Sequence, residues 1–561
     1  MRWPTLPVVA LLLLLGQGAL AQSEAHHAPP AARGQSSRLA TLAEGAILFD
    51  NLGSYHYPVT TGSKEAQAYF DQGLRFVYAF NHDEAARSFA RAAQLDPSCA
   101  MCFWGAALVL GPNYNMPMLA DRASAAWEGV QRAMALAPKA TPVEQAFIGA
   151  LARRYGGPAP LPPDAMKPFQ EAYAAAMRDV ARRFPNDVDV QVLFAESLMN
   201  LNPWKLWTID GQPAQGTEEI VSRLEAVLAR APDHPGANHY YIHAVEASSH
   251  PERALPSARR LPGLLPGAGH LVHMPAHIYQ RVGMYEEAAE ANRRAIAADQ
   301  AYVREAKPHG YYPMYLGHNW GFLAFAASMQ GRAEETLHAS REAARALPPE
   351  MLSMMPGMDF FAAAPLFTMV RFGRYDELLA EPRPDPKYPV LTGLWLHAHG
   401  MALAARGRLD EACADQAALV KLAAEVPQDM RAGNNTARDV LGTAARVLEA
   451  FIAERQGRPD ALAAWDAAVR AADRLVYSEP ADWFYPVRHY QGAALLKAKR
   501  WKEAEAVYRE DLRRNPGNGW ALFGLSQALQ GQGRAREAAQ VQQQFQRAWA
   551  KADIRLTSSA L

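Results

Sequence analysis

Two stretches of the chain carry histidines at metal-ligand spacing. The segment NHYYIHAVEASSHPERA holds His239, His243 and Glu246, and the segment GHLVHMPAHIYQRVGMYEEA holds His270, His273 and His277. Aligned on the alanines that close them, Ala254 and Ala288, the segments are offset by 34 residues. His239 and His273 then each fall 15 residues upstream, and His243 and His277 each fall 11 upstream. Residues four apart on a helix project from one face, so each pair presents two imidazoles together. If the segments stack as neighbours, five imidazoles and the Glu246 carboxylate converge on one surface. Zinc, copper and iron all accept such donors. The order is not the HExxH of zinc proteases, because Glu246 follows the second histidine.

A period of about 34 residues is that of a helix–turn–helix repeat. The clearest copy runs from Ala66 to Pro97, with Gly73 in its first helix, Ala85, Phe89 and Ala92 in its second, and a closing proline. Others stand at GRLDEA, ending at Ala412, at KRWKEA, ending at Ala504 with Pro516 closing the unit, and at GRAREA, ending at Ala538. On these residues the chain resembles the tetratricopeptide-repeat superfamily over roughly residues 46 to 550, and within it the exported bacterial members. The resemblance implies an all-α, tetratricopeptide-type solenoid: a superhelix of about a dozen helix pairs, its first helices lining a concave groove where a peptide, protein or small molecule binds. Units between Asn200 and Thr217 and between Asp299 and Leu316 are degenerate or carry insertions.

Composition agrees. Alanine is abundant, apolar residues recur at helical spacing, and no segment alternates as a strand would. Lysine plus arginine and aspartate plus glutamate are balanced at 57 each, so no basic surplus argues for a nucleic-acid partner. Residues 1–21 read as a signal peptide, with Arg2, the apolar run Val8 to Leu15 and the small-residue pattern Ala19-Leu20-Ala21; an N-terminal membrane anchor is the competing reading. Residues 22–45 read as a flexible leader and 46–561 as the solenoid, with its histidine-rich units at about 190–335. No later run is long and apolar enough to span a bilayer. The expected location is periplasmic or secreted.

Export bears on the three cysteines. Cys99 and Cys102 form a CxxC that an oxidising compartment turns into a local disulfide, or that acts as a redox pair; Phe103 after it excludes haem attachment. Cys413 reads as a small buried residue.

The register extends to other histidines. His318 lies 18 residues before Thr336 as His270 lies 18 before Ala288, which adds His318 to the candidate ligands His239, His243, His270, His273 and His277. His397 and His489 share the groove-facing register but lie several units away. His26, His27, His234 and His338 fit no register and read as surface or linker residues. Glu246, and Glu196 one helix earlier, are candidate general bases beside a bound ion. Three readings stand for the cluster: a transition-metal site for copper, iron or zinc, a polar groove lining for a peptide or anionic ligand, and hydrogen-bonded packing histidines. The donors exceed one tetrahedral zinc shell, which leaves a mixed His/carboxylate iron site, a copper site or two ions. Met351, Met354, Met355 and Met358 read as packing or as soft copper ligands. The metal reading implies a metal-dependent oxidoreductase or hydrolase; the alternative is a non-enzymatic binding scaffold of the cell envelope.

Overall fold

The computed structural model describes residues 38–308, 312–347, 352 and 357–561. The signal peptide, His26, His27, Met351, Met354 and Met355 lie outside these. Among the described residues the chain is an all-α solenoid of antiparallel helix pairs, and the one hairpin, Arg431–Ala432 against Asn435–Thr436, is two residues long on each side. No described helix is long and apolar enough to cross a membrane. The helix Arg38–Leu42 buries Leu39, so ordered chain begins inside the stretch read as leader.

Burial divides most pairs in two, although the second helix His82–Leu95 is buried over most of its length. The first helix is buried nearly all round, as in Pro389–Ala405, whereas its partner Leu409–Glu425 buries only Ala412, Leu419 and Ala423. An inner helix apolar on every side and an outer one with a single stripe is what stacked pairs require. The reversals between them recur at Gly283, Gly331, Gly407 and Gly533, with φ of 80°, 72°, 76° and 76°, a region that glycine enters without the Cβ clash.

Two large apolar cores follow one another along the chain, one from Leu39 to Tyr315 and one from Ala276 to Ala494, and Tyr279 packs against both. The central units lie where they meet, and described residues from earlier and later in the chain pack onto this region. From the N-terminal side, the Tyr315 hydroxyl donates to the Phe80 carbonyl at 3.3 Å and the Tyr302 hydroxyl to Glu84 at 2.9 Å. From the C-terminal side, the Trp520 indole donates to the Ser328 carbonyl at 2.7 Å. Asp553 accepts from the Ala333 and Glu334 amides at 2.6 and 3.0 Å, capping the helix Ala333–Arg345 from outside. The histidine-rich units therefore occupy an interior, not the open groove the repeat implies.

Cys99 and Cys102 are joined in a disulfide at the start of the helix Ala100–Leu110, and both are fully buried. Cys413 is exposed, contrary to its sequence reading, because it lies on the outward face of Leu409–Glu425. His234 is also corrected. It is buried as the N-cap of the helix Pro235–Val245, its Nδ1 accepting from the Ala237 amide at 3.1 Å and its Nε2 lying 3.4 Å from Asp189. His338 is exposed as expected, its ring against Trp320.

Two glycine substitutions test the packing in opposite directions. A Cβ on Gly105 would stand 2.5 Å from the buried Phe89 ring, while one on Gly149, exposed in Pro142–Leu151, meets nothing within 4 Å. Gly105→Ala is expected to destabilise by ~1–3 kcal/mol through overpacking, and Gly149→Ala to stabilise by ~0.5–1 kcal/mol through helix propensity. Urea melts of the two variants check the signs. Thiol counting in denaturant without reductant is expected to find Cys413 alone.

Candidate metal centre

Pro235 opens the helix Pro235–Val245 at the position where a missing N–H costs nothing. Gly236 lets that helix approach the N-terminal unit closely, since a Cβ there would lie 2.3 Å from the Tyr78 ring. This approach brings the Tyr78 carbonyl 2.6 Å from His239 Nδ1. The second segment is not one helix: Pro275 divides it into Gly269–His273 and Pro275–Arg281. Met274 between them keeps helical φ and ψ of −50° and −33°, so His273 and His277 still share a face. His318 comes from Tyr312–Met329, fixed to the helix Tyr285–Ala306 by Asp299, which accepts from the Tyr312 hydroxyl at 2.6 Å and the Asn319 amide at 2.7 Å.

The six histidines form two triads. In each, one nitrogen per residue lies within 4.8 Å of the other two. His239, His243 and His270 make the first, with ring centroids 4.9, 5.0 and 6.2 Å apart. His273, His277 and His318 make the second, at 4.7, 4.8 and 5.9 Å. These distances match pairwise in the repeat register, with His239 corresponding to His273, His243 to His277 and His270 to His318. Each triad is thus an i, i+4 pair from one unit completed by a single histidine from the next. The triads adjoin, His243 lying 5.4 Å from His277 and His270 5.9 Å from His273. One phenylalanine packs on all three rings of each, Phe80 on the first at 4.6 to 5.9 Å and Phe322 on the second at 4.6 to 5.1 Å. Phe80 holds a left-handed φ of 53°, which costs a non-glycine residue about 1–2 kcal/mol.

Hydrogen bonds on the far side of the rings fix the tautomers. His239 Nδ1 faces a carbonyl, and a carbonyl only accepts, so Nδ1 carries the proton. His243 Nδ1 faces Glu246 Oε1 at 3.0 Å. His273 Nδ1 faces Asn292 Oδ1 at 2.7 Å, the Asn292 amide being oriented by its own donation to the Ala288 carbonyl. His277 Nδ1 lies 2.6 Å from both Glu246 Oε2 and Glu479 Oε2. With Nδ1 donating in all four, the neutral rings of His239, His243 and His273 turn bare Nε2 lone pairs toward the triads, while His277, flanked by two carboxylates, keeps a proton on Nε2 as well. Among the described residues, Nε2 of His239 and of His243 finds no partner, and neither nitrogen of His270 does. In the second triad His273 Nε2 lies 2.8 Å from His277 Nε2 and 3.1 Å from His318 Nε2. Lone pairs that close repel unless a proton or another cation lies between them.

Electrostatics follow from burial. Five of the six histidines are 0 to 4% exposed. Burial, with neighbouring histidines adding to it, holds His239, His270 and His273 well below the ordinary imidazole range and His318 at about 3. Burial also lowers His243, against the pull of Glu246. His277 is the exception: burial works against its charge, but Glu479 and Glu246 outweigh it and push the group up to about 10. Burial alone would raise Glu246, but His243 and His277 beside it hold it down. Burial raises Glu479.

All six predicted ligands meet here, with Glu246 beside them. Glu196 stands apart: its carboxylate accepts from Asn200, and it belongs to none of the three clusters that could hold an ion among the described residues. His397 pairs with the Ala444 carbonyl and the Tyr485 hydroxyl, and His489 with Arg371 and Asp511, both away from the triads. Glu479, Asn292, Phe80 and Phe322 escaped the sequence reading, since none shares the histidine register. A surface cavity of about 470 Å³ is lined by Arg259, Tyr279, Glu286, Glu290 and Arg294 among others and by none of the six histidines.

No family model matches the chain, and no curated protein matches it. Solved structures similar to it include a human IFIT1 dimer with m7Gppp-AAAA, at 14% identity and a TM-score of 0.34, covering 92% of this chain and 96% of that one. A human IFIT1 dimer with PPP-AAAA is similar at 14% identity and a TM-score of 0.32, covering 92% and 95%.

Asp299, which seats the His318 helix, supplies a pH test. Burial pushes it up to about 7 against an ordinary 3.8, although Tyr312 and Asn319 favour its charge. A carboxyl raised on folding gives up stability as pH rises between those two values, at about 1.4 kcal/mol per pH unit. Asp299→Asn removes this term. Relative to the unsubstituted protein the variant is therefore expected to gain stability from pH 4 to pH 7, and a gap in thermal midpoint that stays constant over that range would contradict the assignment.

Proposed function

We propose that this protein binds a transition metal through His239, His243, His270, His273, His277 and His318 and carries out metal-dependent chemistry on a small molecule, as an oxidoreductase or hydrolase of the periplasm or extracellular space. The observation that carries the reading is the set of buried Nε2 lone pairs turned toward one another. Burying an acceptor with no partner costs about 1–3 kcal/mol, and a cation bound at that point removes the cost for several groups at once. The hydrogen bonds on Nδ1 support the same reading, because metal-ligating histidines ordinarily donate their other N–H to a carboxylate or carbonyl.

Burial weighs against a peptide-lining role, since a peptide in a groove cannot reach rings that are 0 to 4% exposed. Packing histidines also fit poorly. A satisfied packing imidazole uses both nitrogens, as His397 does, whereas His270 uses neither. Glu246 accepts from two ligand rings and so acts as their orienting anion, and Glu479, against His277, is the carboxylate placed to take up or release a proton beside the site.

Elemental analysis of protein purified without chelators is expected to show bound transition metal. His243→Ala and His277→Ala are expected to lose most of it, and His338→Ala, which alters an exposed ring, to retain it. Metal-free native protein, or full metal in both site variants, would refute the reading.

A further inference from the structure

The duplication of the triads says more than that a metal binds. A six-histidine cluster built for one ion would gather its donors around one point. These donors instead form two groups of three with matching internal distances, 4.9, 5.0 and 6.2 Å against 4.7, 4.8 and 5.9 Å. Each group has its own phenylalanine and its own register-related residues. With metal–nitrogen bonds of about 2.0 Å, three donors around one ion stand roughly 3.3–3.5 Å apart. The nitrogens of each triad, within 4.8 Å of one another, reach that spacing by small ring rotations.

The donor chemistry narrows the choice of metal. Glu246 accepts from Nδ1 of His243 and His277, and Glu479 lies 2.6 Å from Nδ1 of His277, so both carboxylates stand on the outer side of the rings and the inward Nε2 donors are imidazoles. Non-haem iron and paired hydrolytic ions ordinarily draw on carboxylates or bound water, and calcium, magnesium and manganese on oxygen. Three imidazole nitrogens are accepted by zinc as well as by copper, and copper is the one bound most tightly in the divalent series. The triads adjoin, His243 5.4 Å from His277 and His270 5.9 Å from His273, so two ions held on three nitrogens each would stand close enough to share a small ligand. A cavity of about 10 Å³, lined by His270 with Phe76, Asn81, Tyr302 and Tyr312, borders the first triad and has room for about one water.

Resting on the metal reading above, we infer that the two triads hold a pair of copper ions, one on His239, His243 and His270 and one on His273, His277 and His318, and that the pair binds dioxygen between them. The electron balance closes within the site: each Cu(I) gives one electron, dioxygen takes two and becomes a bridging peroxide, and both ions become Cu(II). No proton or further reductant is needed for this step. Glu246, accepting from His243 in one triad and His277 in the other, ties the two coordination shells together.

The test uses the full chain, stripped of metal and titrated anaerobically with Cu(I), then exposed to dioxygen. Two equivalents of copper are expected to bind, with one dioxygen taken up per two coppers and a peroxide-to-copper charge-transfer band. The oxidised protein is expected to give no electron paramagnetic resonance signal, because a bridging ligand couples the two Cu(II) spins. His239→Ala and His318→Ala, each opening a different triad, are expected to bind one equivalent, take up no dioxygen by this route and show the signal of an isolated Cu(II); circular dichroism confirms that each has folded. A single equivalent in the unsubstituted protein, or two ions giving a full uncoupled signal, overturns the pair while leaving metal binding intact. Binding of neither copper nor any other transition metal overturns both readings. The uncoupled-signal measurement needs no variant, so it decides the point even where a substitution prevents folding.

Discussion

The central units are organised around one buried carboxylate. Glu246 is 1% exposed, and its two oxygens accept from His243 and His277, histidines in the same register of successive repeat units. A carboxylate in such an interior is tolerated only when its lone pairs are taken up by hydrogen bonds and opposite charge. Both demands are met by the same two rings, and meeting them sets each ring's tautomer. Once Nδ1–H is committed to Glu246, Nε2 has only the interior to face. Arg281 holds the Glu246 end of the helix in place, donating to the Glu246 and Ser248 carbonyls at 2.9 and 3.1 Å.

Repetition then does what no single unit could. A translation of one unit carries His239 onto His273, His243 onto His277 and His270 onto His318, so any local geometry that works once is produced twice without a separate design. The copies differ only where the chain around them differs. The Nδ1 partner of His239 is a backbone carbonyl from the N-terminal unit, while that of His273 is Asn292 on its own neighbouring helix. Phe80 and Phe322 close the two triads, yet one stands at a strained turn and the other inside a helix. Equivalent shielding has therefore been reached by different backbone routes.

What the sequence reveals here is what is local. Period, turn glycines and the register of the histidines are properties of segments shorter than two units, and the solenoid and all six ring positions follow from them. What it hides depends on the closure of the chain. Glu479 reaches His277 from far along the sequence, and the Tyr78 carbonyl and Phe80 reach the first triad from the opposite end; no periodicity connects these residues to the units they complete. His234 was misplaced for a related reason: a histidine can cap a helix through Nδ1, as serine or asparagine would, and its burial depends on Asp189 in the preceding unit. Cys413 shows the complementary error, in which an apolar-looking residue sits on the outer face of a helix whose inner stripe is alanine and leucine.

Closure also explains why an interior can be so rich in polar groups. Open tetratricopeptide grooves keep their polar lining in water, where an unpaired imidazole costs little. Here the N-terminal unit and the C-terminal segment exclude water from the same surface, and every unpaired nitrogen becomes expensive. The lowered basicity of five of the six histidines is that expense seen in protonation: protons are driven off, and lone pairs are left exposed to one another. His277 alone keeps its proton, because two carboxylates flank it. An interior that expels protons from five of its six histidines and holds the Glu246 anion on their outer side is electrostatically prepared for cations at its centre. The negative charge stays one ring away from the coordinating atoms, where it strengthens them as donors without competing for the ion.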